Sequence, residues 1–297
     1  LYDILRKISS NTELNFDLKS ENKLSLKSEN ADFNLLCLPT DNFPTFADEF
    51  EGQEISLNNS RFLKLLNKTK ISISNDDTRH YLNGIYLHLT EAHGRNFLTG
   101  VATDSHRLSS SSLEIGNIND FTSLILPRKT VFQLCSLLTE DASQLTMQTT
   151  DNKVKFNLGN MKLISKVIDG KFPDYKKVVP TGNEKTLVVS SKDFINSIER
   201  VASVSLDRKE GVKLVINKDN VKLSVNSANS GDGNEIIKAE FNSDNLNISF
   251  NSKYLTDIAS EVEDKNLKMN LKDSVSPVLV EDFSDKNSYY VIMPMKI

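Results

Sequence analysis

The sequence predicts an α+β protein built from one strand–helix–strands unit used several times, and three observations lead there. Segments 1–38, 131–167 and 254–282 each open with about two turns of apolar residues at helical spacing, cross a polar loop, then alternate apolar and polar residues as half-buried strands do. A strand followed by a helix precedes two of these three, in EISLNNSRFLKLLNKTK (54–70) and TLVVSSKDFINSIERVA (186–202). The spacing is regular: the first pattern recurs from 1 to 131 and from 131 to 254, offsets of 130 and 123 residues, and the second from 55 to 187, an offset of 132.

Taken in chain order, the opening of 1–38 predicts a helix of about two turns, and the rest of that segment, past a polar loop, predicts strands. DNFPTF (41–46) then stops the pattern, because proline after an aromatic forces an extended exit. Segment 54–70 predicts a short strand, a polar Asn or Ser as cap, and the helix after Asn59, whose Phe62, Leu63, Leu65 and Leu66 point to the core. Gly100-Val101-Ala102 is strand, and Arg128 and Lys129 open a helix through Phe132 and Leu134. That unit ends in DGKFPDY (169–175), a second proline stop. The helix after Ser191 turns Phe194, Ile195, Ile198 and Val201 inward and leads to a hairpin over 212–227. The helix at Tyr254 carries Asp257 and Glu261 and is not basic. Five units are recognisable where six would complete a pattern of two per domain, so the first is expected to be missing, in keeping with a start at Leu1-Tyr2-Asp3 rather than methionine.

At 297 residues the chain suits two or three domains. No apolar run approaches the ~18 residues of a membrane span. Cys37 and Cys135 give neither a disulfide framework nor metal spacing, and no leader is evident, so a reducing cytoplasm is the expected location. A net charge of −4 and a pI near 5.7 argue against holding nucleic acid by overall attraction; any contact must be local. The free helix faces supply such local charge: Arg61, Lys64 and Lys68 share one side of their helix, and Lys192, Asn196 and Arg200 line another, interrupted by Glu199.

TGVATDSHRLS (99–109) puts Thr103, Asp104, Ser105, His106 and Arg107 together in a chain with four histidines. A hydrolase would use Ser105 or Thr103 as nucleophile and His106 as base. Triad members converge from distant positions, however, and neighbours on a strand face opposite ways. There is no G-x-S-x-G elbow and no phosphate-cradling loop, and His80 and His88, eight residues apart, do not form a zinc pair. A surface loop whose His and Arg stabilise a turn or a peptide groove is the better use, so no enzyme activity, metal or cofactor is expected.

VATDSHRL (101–108), with RHYLNGIYL (79–87), LPRKTVFQL (126–134), KVIDGKFPDYKKVVP (166–180) and YYVIMPMKI (289–297), resembles the bacterial sliding clamp family, the beta subunit of the replicative DNA polymerase III holoenzyme. The resemblance implies a DNA-clamp fold, with antiparallel sheets outside and helices lining a ring closed head to tail by two subunits around duplex DNA. It divides the chain into 1–53 (second half of a first domain), 54–184 and 185–297. It also implies a groove for short linear peptides of the polymerase III catalytic subunit, the clamp loader and repair proteins. That groove would be lined by Leu82, Thr103, Ser105, His106, Arg107, Leu108, Pro173, Lys177, Val178, Val275, Pro277, Met293, Pro294 and Met295, with Tyr81, Asn251 and Tyr254 nearby, and with His106 and Arg107 as polar handles at its rim.

Three departures from the family pattern are expected to alter peptide preference. Ser105 stands where glycine is usual, Lys177 and Lys296 where arginine is common, and Pro277 where serine is frequent. For DNA the implied contacts are Arg61, Lys64, Lys68, Arg79, Arg128, Lys129, Lys192 and Arg200, and for ring closure Phe33 and Leu35 against Val204 of another subunit. The alternative is a repeat-built peptide-binding scaffold that does not encircle DNA.

Overall fold

One helical turn, Tyr2–Leu5 (α1), opens the chain instead of two. None of its residues is buried, so no packed face rewards a longer helix, and the backbone continues through single turn bonds as far as Ile8. β1 (Asn15–Ser20), β2 (Lys23–Ser28) and β3 (Ala31–Leu36) follow as an antiparallel meander around the fully buried Leu26. The computed structural model describes residues 1–43, 50–116, 121–141, 143–205 and 211–296, so Pro44, the expected stop in DNFPTF, lies outside the described residues. Two compact units result, Leu1–Phe50 and Glu51–Ile297.

The second unit repeats one motif four times among its described residues. The first copy is β4 (Gln53–Asn58), α2 (Asn59–Lys70), β5 (Gly84–Ala92), β6 (Arg95–Thr103) and β7 (Arg107–Ile115). The second is β8 (Leu124–Pro127), α3 (Arg128–Leu137), β9 (Gln144–Thr149), β10 (Lys153–Leu158) and β11 (Met161–Lys166). The third is β12 (Lys185–Ser190), α4 (Ser191–Ala202), β13 (Gly211–Ile216), β14 (Asn220–Ser227) and β15 (Gly231–Phe241). The fourth is β16 (Leu246–Asn251), α5 (Ser252–Ser260), β17 (Asn266–Leu271), β18 (Val278–Asp282) and β19 (Ser288–Ile292).

Three of the four helices begin with the same device. The side chains of Asn58, Ser190 and Asn251 accept from the backbone N–H three residues on, at 3.1, 3.3 and 3.1 Å. The caps of α2 and α4 therefore sit one residue earlier than the sequence suggests. Asn59 is already helical, and its side chain instead donates to Ser143 and Asp141.

Leading strands are exchanged between neighbouring copies: β4 pairs with β9 and β8 with β5, just as β12 pairs with β17 and β16 with β13. Each copy thus completes the sheet of its neighbour, and neither half of such a pair can bury its apolar face alone. One sheet runs β11-β10-β9-β4, and a twelve-stranded one runs β16-β13-β14-β15-β12-β17-β18-β19-β7-β6-β5-β8. Its middle joint is β19 on β7, in register from Ser288 opposite Ser111 to Ile292 opposite Arg107. Two large cores lie beneath the helices, one around Phe62, Leu66, Leu98 and Phe156, the other around Phe194, Leu214, Phe250 and Met269. A third apolar cluster sits at the β19–β7 joint. Among the described residues no helix is long and apolar enough to cross a membrane.

Candidate functional site

The turn between β6 and β7 explains the polar run at 103–107. Asp104 Oδ1 accepts the backbone N–H of both His106 and Arg107 at 3.0 Å, and Thr103 Oγ1 accepts from Ser105 N at 3.1 Å while donating to Arg107 O at 2.7 Å. Ser105 occupies the left-handed region at φ +77°, the conformation in which glycine is most at ease. Asp104 is thus spent on the turn and on Arg107, while the His106 ring stacks on Tyr254 at 6.4 Å. These residues shape a loop.

Arg107 is not the rim handle that the resemblance implies. It is 8% exposed, and its guanidinium reaches Asp104 at 3.1 Å and Asp257 of α5 at 2.7 Å while lying 4.3 Å above the Tyr254 ring. The cation therefore bolts the turn to α5. A planar fork with an aromatic face beneath it suits this role better than a lysine would. Burial and the nearby Asp104 hold the Tyr254 hydroxyl above its usual pKa, outweighing Arg107, so the ring stays neutral.

The chain's end is fastened beside this turn. Met293 N donates to His106 O at 2.8 Å, and Met295 N to Ser249 O of β16 at 2.7 Å. With the backbone pinned on both sides, the side chains of Met293 and Met295 remain exposed, as do Val178 and Val275. Pro294 and Pro277 are half-buried, and Asn183 Nδ2 donates to Pro277 O at 2.9 Å. Pro173 and Lys177 are exposed on and before the 3-10 segment Tyr175–Val178, with Lys177 reaching Asp174 at 3.3 Å.

Leu82 and Leu108 do not line a surface: at 3% and 1% exposure they are part of a floor. Both belong to the third cluster, with Val101, Ile125, Phe172, Tyr175 and Val291, against which Tyr81 and Leu279 pack. Reading the sequence missed Val291 and Phe172. The signal was present in alternation, since Val101, Leu108 and Val291 are inward positions of adjoining strands β6, β7 and β19. Asn251 is half-buried as the cap of α5, and so lies near this strip through Tyr254.

The basic residues divide into two groups. Arg61, Arg128, Lys129 and Lys192 are exposed on α2, α3 and α4, with Arg128 5.4 Å from the Phe132 ring. Lys68 is 2% exposed, so it cannot reach a duplex. Its ammonium lies 2.8 Å from Asp285, 3.2 Å from Glu263 and 3.5 Å from Asp282. A buried ammonium requires such partners. Lys64 is half-exposed but also committed, to Glu263 at 2.8 Å and Asp285 at 3.2 Å; burial works against its charge, yet these carboxylates raise its pKa. Burial alone would raise the Asp285 carboxyl, but the hydrogen bond and charge of Lys68, with Asn287 N–H and Lys64, hold it at about 2.

Arg200 forks onto Glu235 of β15 at 2.6 and 2.9 Å. Arg79 lies off the helices, in the 3-10 segment Asp77–Leu82, bonded to Asp76 at 2.8 Å and to Ser105. Phe33 and Leu35 are half-buried on the edge strand β3, and Val204 is half-buried against Gly233 of β15. Among the described residues no group of three or more His, Cys, Asp or Glu is arranged to hold a metal ion.

Two family models match in succession: DNA polymerase III beta subunit, central domain, over residues 56–174, and DNA polymerase III beta subunit, C-terminal domain, over 176–296. The chain belongs to the beta sliding clamps. It is 31% identical over 300 residues to the beta sliding clamp of Caulobacter vibrioides and 32% identical over 296 to that of Escherichia coli K12, in each case covering all of this chain and 80% of the relative. The DnaN sliding clamp of Bartonella birtlesii, solved bound to griselimycin, superposes with a TM-score of 0.93 at 36% identity, over all of this chain and 80% of that one. The Pseudomonas aeruginosa subunit gives 0.88 at 30%, over 99% of this chain and 80% of that one. As a sliding clamp the chain is a non-catalytic processivity factor of DNA polymerase III, with the α+β architecture that the repeats predicted and the clamp fold that the resemblance implied.

Proposed function

We propose that this clamp acts as a closed head-to-tail homodimer that encircles duplex DNA in the cytoplasm, and that its domains run 1–53, 54–184 and 185–297. The observation that carries this reading is the exchanged pairing of leading strands, which sets α2 beside α3 and α4 beside α5 on adjacent repeats. Arg61, Arg128, Lys129 and Lys192 are exposed on those helices and meet phosphates. Contacts limited to phosphate have no preferred register, so the ring slides. Arg79, Lys64 and Arg200, each engaged with carboxylates, contribute less, and Lys68 contributes nothing. Phe33 and Leu35 of one subunit meet Val204 of another at the joint.

The catalytic subunit of the polymerase, the clamp loader and repair proteins dock through short linear peptides over the floor of Leu82, Leu108 and Val291. Supporting this are the exposed apolar side chains of Val178, Val275, Met293 and Met295 beside a backbone fixed by the bond from Met293 to His106. Methionine adapts to varied anchors, each contributing roughly 1.5–3 kcal/mol when buried. Retention on closed circular DNA, and its loss when the circle is cut, tests the encirclement. A scaffold that only bound peptides would not distinguish the two forms.

A further inference from the structure

The two exchanged pairs of copies in the second unit are joined by one strand pairing among the described residues, β19 on β7. Its two faces differ. Outward, Leu108 and Val291 belong to the third apolar cluster, whereas on the helix side β7 offers Arg107, Ser109 and Ser111 to Ile292, Tyr290 and Ser288. Hydroxyls fill that side: Ser288 Oγ lies 2.9 Å from Ser111 Oγ, and Ser109 Oγ lies 2.6 Å from Ser72 Oγ. Little apolar area from β7 therefore holds the helix side of the joint together.

Charge is concentrated at the two ends of that pairing instead. Beside the Ser288 end, Lys68 crosses from α2 to Asp285, Asp282 and Glu263, and Lys64 reaches the same Asp285 and Glu263. Asp285 Oδ2 is itself 3.0 Å from Ser288 Oγ, which places this cluster against the strand. At the other end Arg107, opposite Ile292, crosses to Asp257 of α5 at 2.7 Å. These three cations come from the first pair of copies, and the four carboxylates from the second. Lys68 and Arg107 are 2% and 8% exposed, so each crossing is made where salt and water screen it poorly. The repeat itself does not demand this. Arg200 stands at the place on α4 that Lys68 has on α2, yet it forks onto Glu235 of its own pair of copies and stays largely exposed.

We propose that Lys68 and Arg107 are a two-point lock on the β19–β7 joint: together they stop the two pairs of copies from parting along that strand pairing, and weakening either end lets them part while each keeps its own fold. Each pair retains its exchanged strands and a core of its own, one around Phe62 and Phe156, the other around Phe194 and Phe250, so opening is a local event rather than unfolding. It divides the third cluster, separating Leu82, Val101, Leu108 and Ile125 from Val291. The lock thus keeps the proposed peptide floor in one piece, although no peptide takes part in it.

Amide hydrogen exchange tests the lock, because neighbouring amides of β19 face opposite ways. The bonds from Met293 N to His106 O and from Ser112 N to Asn287 O fix the alternation, so Tyr289 and Val291, with Ser110 and Leu108, bond across the joint, whereas Tyr290 and Ile292 bond to β18. Exchange is followed by NMR at stepped low urea on the full chain and on Lys68→Met and Asp257→Asn. In Lys68→Met the amides across the joint are expected to exchange about 100-fold faster than in the parent, and in Asp257→Asn about tenfold faster. They do so ahead of Tyr290 and Ile292 and with weak dependence on urea, since opening exposes little surface. Asp257→Asn leaves Arg107 its bond to Asp104 and so strands no buried cation, which keeps the test in hand should Lys68→Met fail to fold. A disulfide formed by Ser111→Cys with Ser288→Cys, added to Lys68→Met, staples the joint and restores protection across it. Both sets of amides exchanging together with one steep urea dependence would overturn the proposal, since the cations would then support the fold as a whole. Unchanged exchange across the joint in both variants, or a staple that restores nothing, overturns it equally.

Discussion

Replacing Lys68 by methionine keeps the length of the side chain and removes its charge. In the folded chain that ammonium lies 2.8 Å from Asp285 and 3.5 Å from Asp282, both carboxylates almost wholly buried. Breaking a buried pair costs about 3–5 kcal/mol, because the abandoned charge has no water to turn to. Compensation exists on both sides. Asp282 still accepts from Glu263 N at 2.7 Å and from Ser284 at 2.7 and 2.9 Å, while Asp285 keeps Lys64 at 3.2 Å and Ser288 Oγ at 3.0 Å. The lower end, about 3 kcal/mol, is therefore expected, which lowers Tm by about 6–12 °C.

The pH dependence supplies the signature. In the parent, Asp285 titrates at about 2 against an ordinary 3.8, so its stabilisation is present above the ordinary value and is lost as pH falls through the lower one. In Lys68→Met the burial that Lys68 opposed now dominates, raising the carboxyl and destabilising the folded chain at neutral pH. The gap between parent and variant is thus widest near pH 7 and closes as pH falls from about 5 toward 2. The chain has no tryptophan, so circular dichroism during thermal and urea unfolding is the suitable assay. A variant within about 0.5 kcal/mol of the parent at pH 7 would refute the buried pair and return Lys68 to the solvent-facing set.

Two further outcomes follow from the same geometry. Arg107→Ala removes the bolt between the β6–β7 turn and Asp257 of α5 and takes away the partner of Asp104 Oδ2, while Oδ1 keeps its two backbone donors; about 2–4 kcal/mol of stability is lost by urea unfolding and peptide affinity falls, whereas a purely rim-located arginine would change affinity alone. Arg61→Glu combined with Lys192→Glu reverses two exposed charges and is expected to lower the salt dependence of binding to linear duplex, which topology does not hold, by about 0.9 in log–log slope per lost phosphate contact, read by titration at stepped low salt, without altering unfolding.

Local features of the sequence carried the fold a long way. Asparagine and serine ahead of apolar helical runs foretold the starts of α2 and α4 within one residue, because a cap is decided by its own few neighbours. The inward faces of those helices followed from period alone, and Phe62, Leu65, Phe194 and Ile198 are all buried. What failed was decided at long range. Lys68 shares a helical side with Arg61 by spacing, yet its partners Asp282 and Asp285 are 214 and 217 residues away, and nothing near Lys68 announces them. Arg107 was misjudged in the same way, since Asp257 lies 150 residues on. The two-turn helix at the start shrank to Tyr2–Leu5, where apolar spacing found no surface to cover. At the candidate site, His106 and Met293 do meet, through backbone, whereas Leu82 and Leu108 are buried in the cluster at the β19–β7 joint.

Encirclement is decided most directly by loading the chain, with a clamp loader and ATP, onto a nicked circular plasmid at ~0.15 M salt, isolating the complex by gel filtration, and cutting half the sample with a single-site nuclease. Protein is expected to co-elute with the circle and to leave the DNA once ends are available, because screening over ~8 Å makes each phosphate contact weak and only topology retains it. Equal retention on circle and linear DNA, or none on the circle, would contradict it.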